Sequence, residues 1–249
     1  MQYGVCTLNI VPVRAEANDA SEMVTQLLYG DIFTIIEQRK NWCKIRIAFD
    51  NYEGWIDPKQ TCLLHKEIFD HQKQLSNRYV ADLIEFITTK NQELIPVSLG
   101  ANLSHLSFLQ HQYEGRSQQG EYPKSKLLET AYMYLNAPYL WGGKSPFGID
   151  CSGFTQMVYK INGYALLRDA KQQATQGEPL SFIEESEPGD LAFFDNHEGN
   201  IIHVGIIMED NYIIHAHGKV RIDRIDHTGI FNVDTKRYSH NLRVIKKII

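Results

Sequence analysis

The stretch that most constrains this chain is residues 139–155, YLWGGKSPFGIDCSGFT, where a loop broken by Gly142, Gly143, Pro146 and Gly148 runs straight into a helical pattern. Phe154, Met157, Val158 and Ile161 fall at helical spacing behind it, so Cys151 stands at a helix start. Unpaired N–H groups and the positive end of the helix dipole lie there and favour a thiolate. The expected thiol pKa falls from ~8.5 to roughly 3.5–7.5. The plain alternative is a free cysteine packed as a small hydrophobe.

A second stretch weighs against that alternative. In GDLAFFDNHEGNIIHVGIIMEDNYIIHAHG, residues 189–218, the runs LAFF, HVGII and YIIHAH read as short strands, the last two joined by the turn-forming EDN. His203 opens the first strand of this hairpin, and His215 and His217, two apart on the second, share a face. Thiol catalysis needs a base within hydrogen-bond reach and a third group to orient that base. A cysteine at a helix start followed by a histidine hairpin supplies those types of residue.

PYLWGGKSPFGIDCSG, EPGDLAFF, HVGII and IIHAHG together resemble the ordered motif set of the NlpC/P60 cysteine peptidases, bacterial enzymes that cut peptidoglycan stem peptides. The resemblance covers residues 125–249 and implies a papain-like α+β domain, a cysteine-bearing helix packed on an antiparallel sheet. It makes Cys151 the nucleophile, His203 the general base and His215 the residue that orients the base. The resemblance also implies that Tyr139, Asp150 and Ser152 line the pocket beside the nucleophile. Where relatives read LPRDAS, this chain has Leu167 for the proline and Lys171 for the serine, so no pocket role is carried over on that side. A competing reading has Cys151, His203, His215 and His217 binding zinc. It is the weaker one, because a thiolate at a helix start needs no metal and the resemblance names none; no cofactor is expected.

The remaining chain is read more coarsely. Its 249 residues allow one large or two small domains, and 43% hydrophobic with 22% charged residues is neither disordered nor membranous. A net charge of −5 argues against a nucleic-acid partner. No apolar run approaches 18 residues, so no membrane span is expected. Residues 1–20 lack the pattern of a secretory signal. Cys6, Cys43, Cys62 and Cys151 show no CxxC spacing, which suits reduced thiols and a cytoplasmic location.

Residues 1–65 contain short alternating runs separated by NDASE, RKN and DNY, the spacing of a small barrel. SEMVTQLLYGD, WCKIRI and DNYEGWID resemble a bacterial SH3 domain. Residues 66–124 are expected to extend that domain and then link it to the peptidase domain at 125–249. Val80, Leu83, Ile84 and Ile87 fit a helical stripe but equally a buried strand, and HQYEGRSQQGEYP reads as linker. KLLETAYMYLN is an amphipathic helix ending before Pro138, with Leu127, Leu128, Ala131, Met133 and Leu135 as its apolar stripe. A short helix is expected in ALLRDAKQQATQG.

For substrate, the resemblance implies the bond between γ-D-glutamyl and a diamino acid. The SH3-bearing group without a visible signal resembles recycling enzymes acting on freed stem peptides. Recognising the free amine of L-Ala requires a paired carboxylate and acceptors. Asp150, Tyr139 and Ser152 supply part of that, and Glu22 and Tyr52 are the best matches for the SH3 contribution. Two other readings are a secreted wall-lytic endopeptidase anchored by its SH3 domain and a non-catalytic wall-binding module.

Overall fold

Burial alternates along Cys43–Ile47, with Cys43, Ile45 and Ile47 inward and Lys44 and Arg46 outward, and this period of two sets the architecture of the N-terminal unit. The computed structural model describes residues 2–249 and divides into two units. One comprises residues up to 121 with 141–146; the other comprises 122–140 with 147–249. The first unit contains β1 (Gln2–Val5), β2 (Ile10–Arg14), β3 (Met23–Leu28), β4 (Ile32–Gln38), β5 (Cys43–Ile47), β6 (Glu53–Ile56) and β7 (Cys62–Leu64). They form an antiparallel sheet of order β3-β2-β6-β5-β4-β1-β7, which is the SH3-like barrel. Its core holds Val11, Val13, Leu27, Phe33 and Ile45. Gly54 of the GW pair has a packing reason: a Cβ there would lie 2.5 Å from Val13 Cγ1, so only glycine lets β6 approach β2.

After α1 (Lys66–Lys73) the chain forms β8 (Arg78–Val80), β9 (Ile84–Thr88), β10 (Leu94–Ser98), α2 (Leu106–Leu109), β11 (Gln112–Tyr113) and β12 (Ser117–Gln119). Residues 78–88, open between helix and strand in sequence, are thus two strands. A helix would have buried Leu83 and Ile84 with Val80 and Ile87, whereas Leu83 and Ile84 are exposed at 44% and 45%. HQYEGRSQQGEYP is not simply a linker. Its β11 pairs with β9 and its β12 with β8, because both short strands leave backbone groups that need partners. Asp82 anchors the segment by accepting from the Arg116 backbone N–H and Nε and from the Tyr113 hydroxyl. The two-residue strand β13 (Lys144–Ser145) belongs to this unit as well.

The second unit contains α3 (Ser125–Met133), β14 (Gly148–Ile149), α4 (Cys151–Ile161), α5 (Ala170–Gln173), β15 (Glu178–Leu180), β16 (Leu191–Asp195), β17 (Ile201–Ile207), β18 (Tyr212–His217), β19 (Lys219–Ile225), β20 (Gly229–Asn232) and β21 (Arg237–Lys247). The sheet order is β15-β21-β16-β17-β18-β19-β20, and β21 also pairs with β20, so the sheet closes on itself. The long β21 makes this possible by pairing along its length with β15, β16 and β20. All eleven residues of α4 are buried, which makes it the core helix on which α3 and the sheet pack. The buried stripe of α3 is Leu127, Thr130 and Ala131, continued by Tyr134 just past its end; Leu135, expected in that stripe, is exposed. Asn162 links the helices by donating from Nδ2 to Thr130 Oγ1 at 2.8 Å.

Candidate active site

Asp150 starts the helix that carries Cys151. Its extended backbone and its carboxylate, which accepts from the Gly153 N–H at 2.6 Å, cap α4 so that Cys151 is the first helical residue. Cys151 is buried. That burial pushes its thiol up to about 12, and the negative charge of Asp150 adds to the rise. The Val204 and Ser152 N–H groups and the Arg168 charge pull the other way, but by less. The low pKa expected from the helix start alone is therefore not that of the resting site, since desolvation outweighs the dipole.

The histidines come from adjacent strands. β17 and β18 pair with Gly205 opposite His215, and a Cβ at Gly205 would lie 2.9 Å from the His215 Cβ; the glycine of HVGII makes room for that ring. Across the hairpin, His203 Nε2 and His215 Nδ1 are hydrogen-bonded at 2.8 Å. His203 sits one residue before Val204, whose N–H acts on the sulfur. Its imidazole is driven well below the ordinary value, first by burial and then by the neighbouring histidines. A lone thiolate and a lone imidazolium are thus both disfavoured here. Moving the proton from Sγ to His203 keeps the pair neutral overall, and the two opposite charges stabilise each other.

Three residues that motif reading did not assign join the site. Asp223, fully buried on β19, accepts from His215 Nε2 at 3.0 Å. Burial alone would raise its carboxyl, but hydrogen bonds from His215, Arg221 and the Val233 N–H outweigh that and bring it down to about 2. His240 on β21 stacks on His203 with ring centroids 4.1 Å apart. Arg168, 1% exposed, donates to both carboxylate oxygens of Asp150 (3.0 and 2.6 Å) and to Ser152 Oγ (3.0 Å). A visible signal existed only for Arg168, as the arginine of the RDA run that survives the two departures from LPRDAS.

Of the residues expected to line a pocket, Asp150 and Ser152 are buried beside Cys151. Asp150, expected to meet a substrate amine, already meets the guanidinium of Arg168, because a buried carboxylate requires a paired cation. Tyr139 is half-buried, and its phenol is pushed up to about 12 by burial and by the charges of Cys151 and Asp150. Glu22 and Tyr52 belong to the N-terminal unit. Exposed Glu22 accepts from Trp141 Nε1 at 2.5 Å, and Tyr52 packs against the barrel core. His217, at the exposed end of β18, has its ring 6.1 Å from His215. The group among the described residues able to hold a metal is His203, His215 and His240, with ligand atoms within 4.8 Å of one another; it includes neither Cys151 nor His217, both needed by the zinc reading.

A helix-borne thiol set against a histidine-bearing antiparallel sheet defines a thiol hydrolase of the papain-like class. Comparison with known proteins narrows this. The NlpC/P60 family profile matches residues 136–238, and that of the bacterial dipeptidyl-peptidase Sh3 domain matches 13–60. A γ-D-glutamyl-L-lysine dipeptidyl-peptidase of Bacillus subtilis is 41% identical over 236 residues, covering 86% of this chain and 75% of the relative. Dipeptidyl-peptidase 6 of Lysinibacillus sphaericus is 28% identical over 238 residues, covering 81% and 83%. The crystal structure of an NlpC/P60 family protein from Bacillus cereus shares the fold, with a TM-score of 0.80 at 19% identity over 99% of both chains. The chain belongs to the NlpC/P60 family.

Proposed function

We propose that this chain is a cysteine peptidase that hydrolyses the γ-D-glutamyl to diamino acid bond of peptidoglycan stem peptides, releasing L-Ala-γ-D-Glu from peptides whose L-Ala amine is free. The observation that carries this reading is the coincidence of the Cys151, His203 and His215 cluster with 41% identity to a γ-D-glutamyl-L-lysine dipeptidyl-peptidase. His203 takes the proton of Cys151, and the thiolate attacks the γ-amide carbonyl. The oxyanion is met by N–H groups at the start of α4. His203, now an imidazolium, gives its proton to the leaving amine, and water attacks the thioester with His203 again as base.

The requirement for a free amine, the role of murein-peptide recycling and a cytoplasmic setting belong to the same proposal. The requirement for a free amine is supported by the dipeptidyl-peptidase names of the relatives. Tyr139, Ser152 and Asp150 are assigned to that recognition, with Asp150 working through its pair with Arg168. The test is incubation with L-Ala-γ-D-Glu-diaminopimelate, its L-lysine counterpart and the N-acetyl form of each, with mass spectrometry for the dipeptide. Dipeptide from the free peptides alone is expected. Equal cleavage of free and acetylated peptides would favour the wall-lytic reading. No cleavage of any would overturn the proposal.

A further inference from the structure

Two imidazoles in series pose a problem that one does not. Each ring has two neutral tautomers, and a hydrogen bond between them is satisfied whichever ring donates. The direction matters here. If His215 donated across the 2.8 Å contact, His203 would carry its own proton on Nδ1 and have no lone pair for the thiol.

The surroundings of Asp223 settle the direction. Its Oδ2 accepts from His215 Nε2 at 3.0 Å and from Arg221 Nε at 2.7 Å. Its Oδ1 accepts from Arg221 Nη2 at 2.9 Å and from the Val233 N–H at 3.0 Å. A carboxylate met by donors on both oxygens is ionised and only accepts. His215 therefore holds its proton on Nε2, and its Nδ1 offers a lone pair. His203 must donate to it from Nε2, which leaves His203 Nδ1 bare.

We propose that Asp223, clamped by Arg221, is a positioning residue that fixes the tautomers of His215 and His203 in turn and so makes His203 Nδ1 the base for Cys151. The inference rests on the reading of Cys151 and His203 as nucleophile and base. Only one proton moves in the step it governs, from Sγ to His203 Nδ1. The positive charge that appears on the histidine pair is matched by the buried charge of Asp223. A merely structural role is the competing account, since Asp223 and Arg221 also hold the turn at Val233 and Asp234 to β19.

Asp223→Asn separates the two. The introduced amide must set its NH₂ against donors on one side; set towards His215, it forces that ring to accept at Nε2, reverses both tautomers and disables the base. Turnover of the γ-D-glutamyl tripeptide by the full chain is expected to fall roughly 10²- to 10⁴-fold in kcat, as for a wrong tautomer elsewhere, with KM within about threefold. The decisive control is the His215→Asn background. There the introduced carbonyl accepts from His203 Nε2 whatever occupies position 223, so Asp223→Asn should cost less than about threefold more. An equal loss in both backgrounds would mean a structural role and overturn the proposal. ¹⁵N spectra of histidine-labelled protein read the tautomers without substrate. In the unaltered chain His203 Nδ1 should be unprotonated, and in Asp223→Asn protonated; unchanged tautomers overturn the proposal. If the unaltered chain cleaves no peptide, the functional reading falls, and the spectra still decide the role of Asp223.

Discussion

The N-terminal unit buries Cys6, whose thiol burial pushes up to about 12, and the C-terminal unit buries Cys151, which burial brings to about 12 as well. Each unit also buries a histidine whose ring is held neutral, His105 in the first and His203 in the second. What surrounds them differs. Cys6 donates to the Leu8 carbonyl at 3.3 Å, and His105 donates from Nδ1 to Gln72 Oε1 at 2.5 Å, so both end on neutral acceptors that take no proton. In the second unit the sulfur lies beside a strand that carries His203, and that imidazole is tied through His215 to the ionised Asp223. Burial sets the cost of charge in both places. On the function proposed above, a destination for the proton makes only one of the thiols reactive.

The largest effect expected from this contrast is on turnover. Cys151→Ala should lower kcat by at least about 10⁴-fold with the fold intact, whereas Cys6→Ala should leave kcat within twofold and cost about 1 kcal/mol of unfolding free energy through the small cavity it leaves. Peptide assays and urea unfolding of both variants check this. A Cys6→Ala protein that folds but does not turn over would break the comparison. Next in size, His215→Ala removes the acceptor that orients His203 and should cut kcat by about 10²-fold.

The elements on which this contrast rests were unequally legible in the sequence. Cys151 was placed because glycines and a proline end a loop where helical spacing begins, and both signals are local. His203 and His215 were placed because β17 and β18 are joined by a short turn, so a period of two fixes which side chains share a face. Asp223, Arg221 and His240 were not assigned. Asp223 and Arg221 reach the site across the β18–β19 hairpin, just past the last motif that carries the resemblance, whereas His240 reaches it from β21, and strand order beyond a hairpin is not written in local periodicity. The thiol pKa was misjudged on the same grounds, since the helix dipole is local and the burial that overrides it comes from the whole unit. The strands at 78–88 were ambiguous because an apolar, β-branched run satisfies both periods.

The pH dependence of stability sharpens the comparison further. His105 and His240 are each held at about 4 by burial, below the ordinary histidine value near 6.5. Below pH 6.5 the unfolded chain takes up protons that the folded chain refuses. Stability is therefore fully present above pH 6.5 and is lost as pH falls towards 4. At about 1.4 kcal/mol for each pH unit between folded and unfolded values, the two rings set an upper bound of about 7 kcal/mol; a loss of a few kcal/mol is expected, because local opening relieves part of it. Urea unfolding at pH 7 and pH 4.5 measures it. His105→Gln should remove part of the slope without touching turnover; a slope unchanged in that variant would show that the first unit contributes none of it.

The smallest expected effect concerns His217, which shares a strand face with His215 and is chemically identical to it. In the register of β18, His215 lies opposite Gly205 on β17 and Arg221 on β19, in the middle of the sheet, whereas His217 pairs with Lys219 at its exposed end. Position along the strand thus decides which ring can be oriented by Asp223. His217→Ala should change kcat by less than about threefold, the scale of a residue that neither carries nor orients the proton. Measured beside His215→Ala, it tests the assignment of roles along β18. Equal losses in the two variants would mean that the base is oriented by the histidine cluster as a whole rather than by one chain of hydrogen bonds ending on Asp223, and a larger loss at His217 would place the orienting residue one pleat further along the strand.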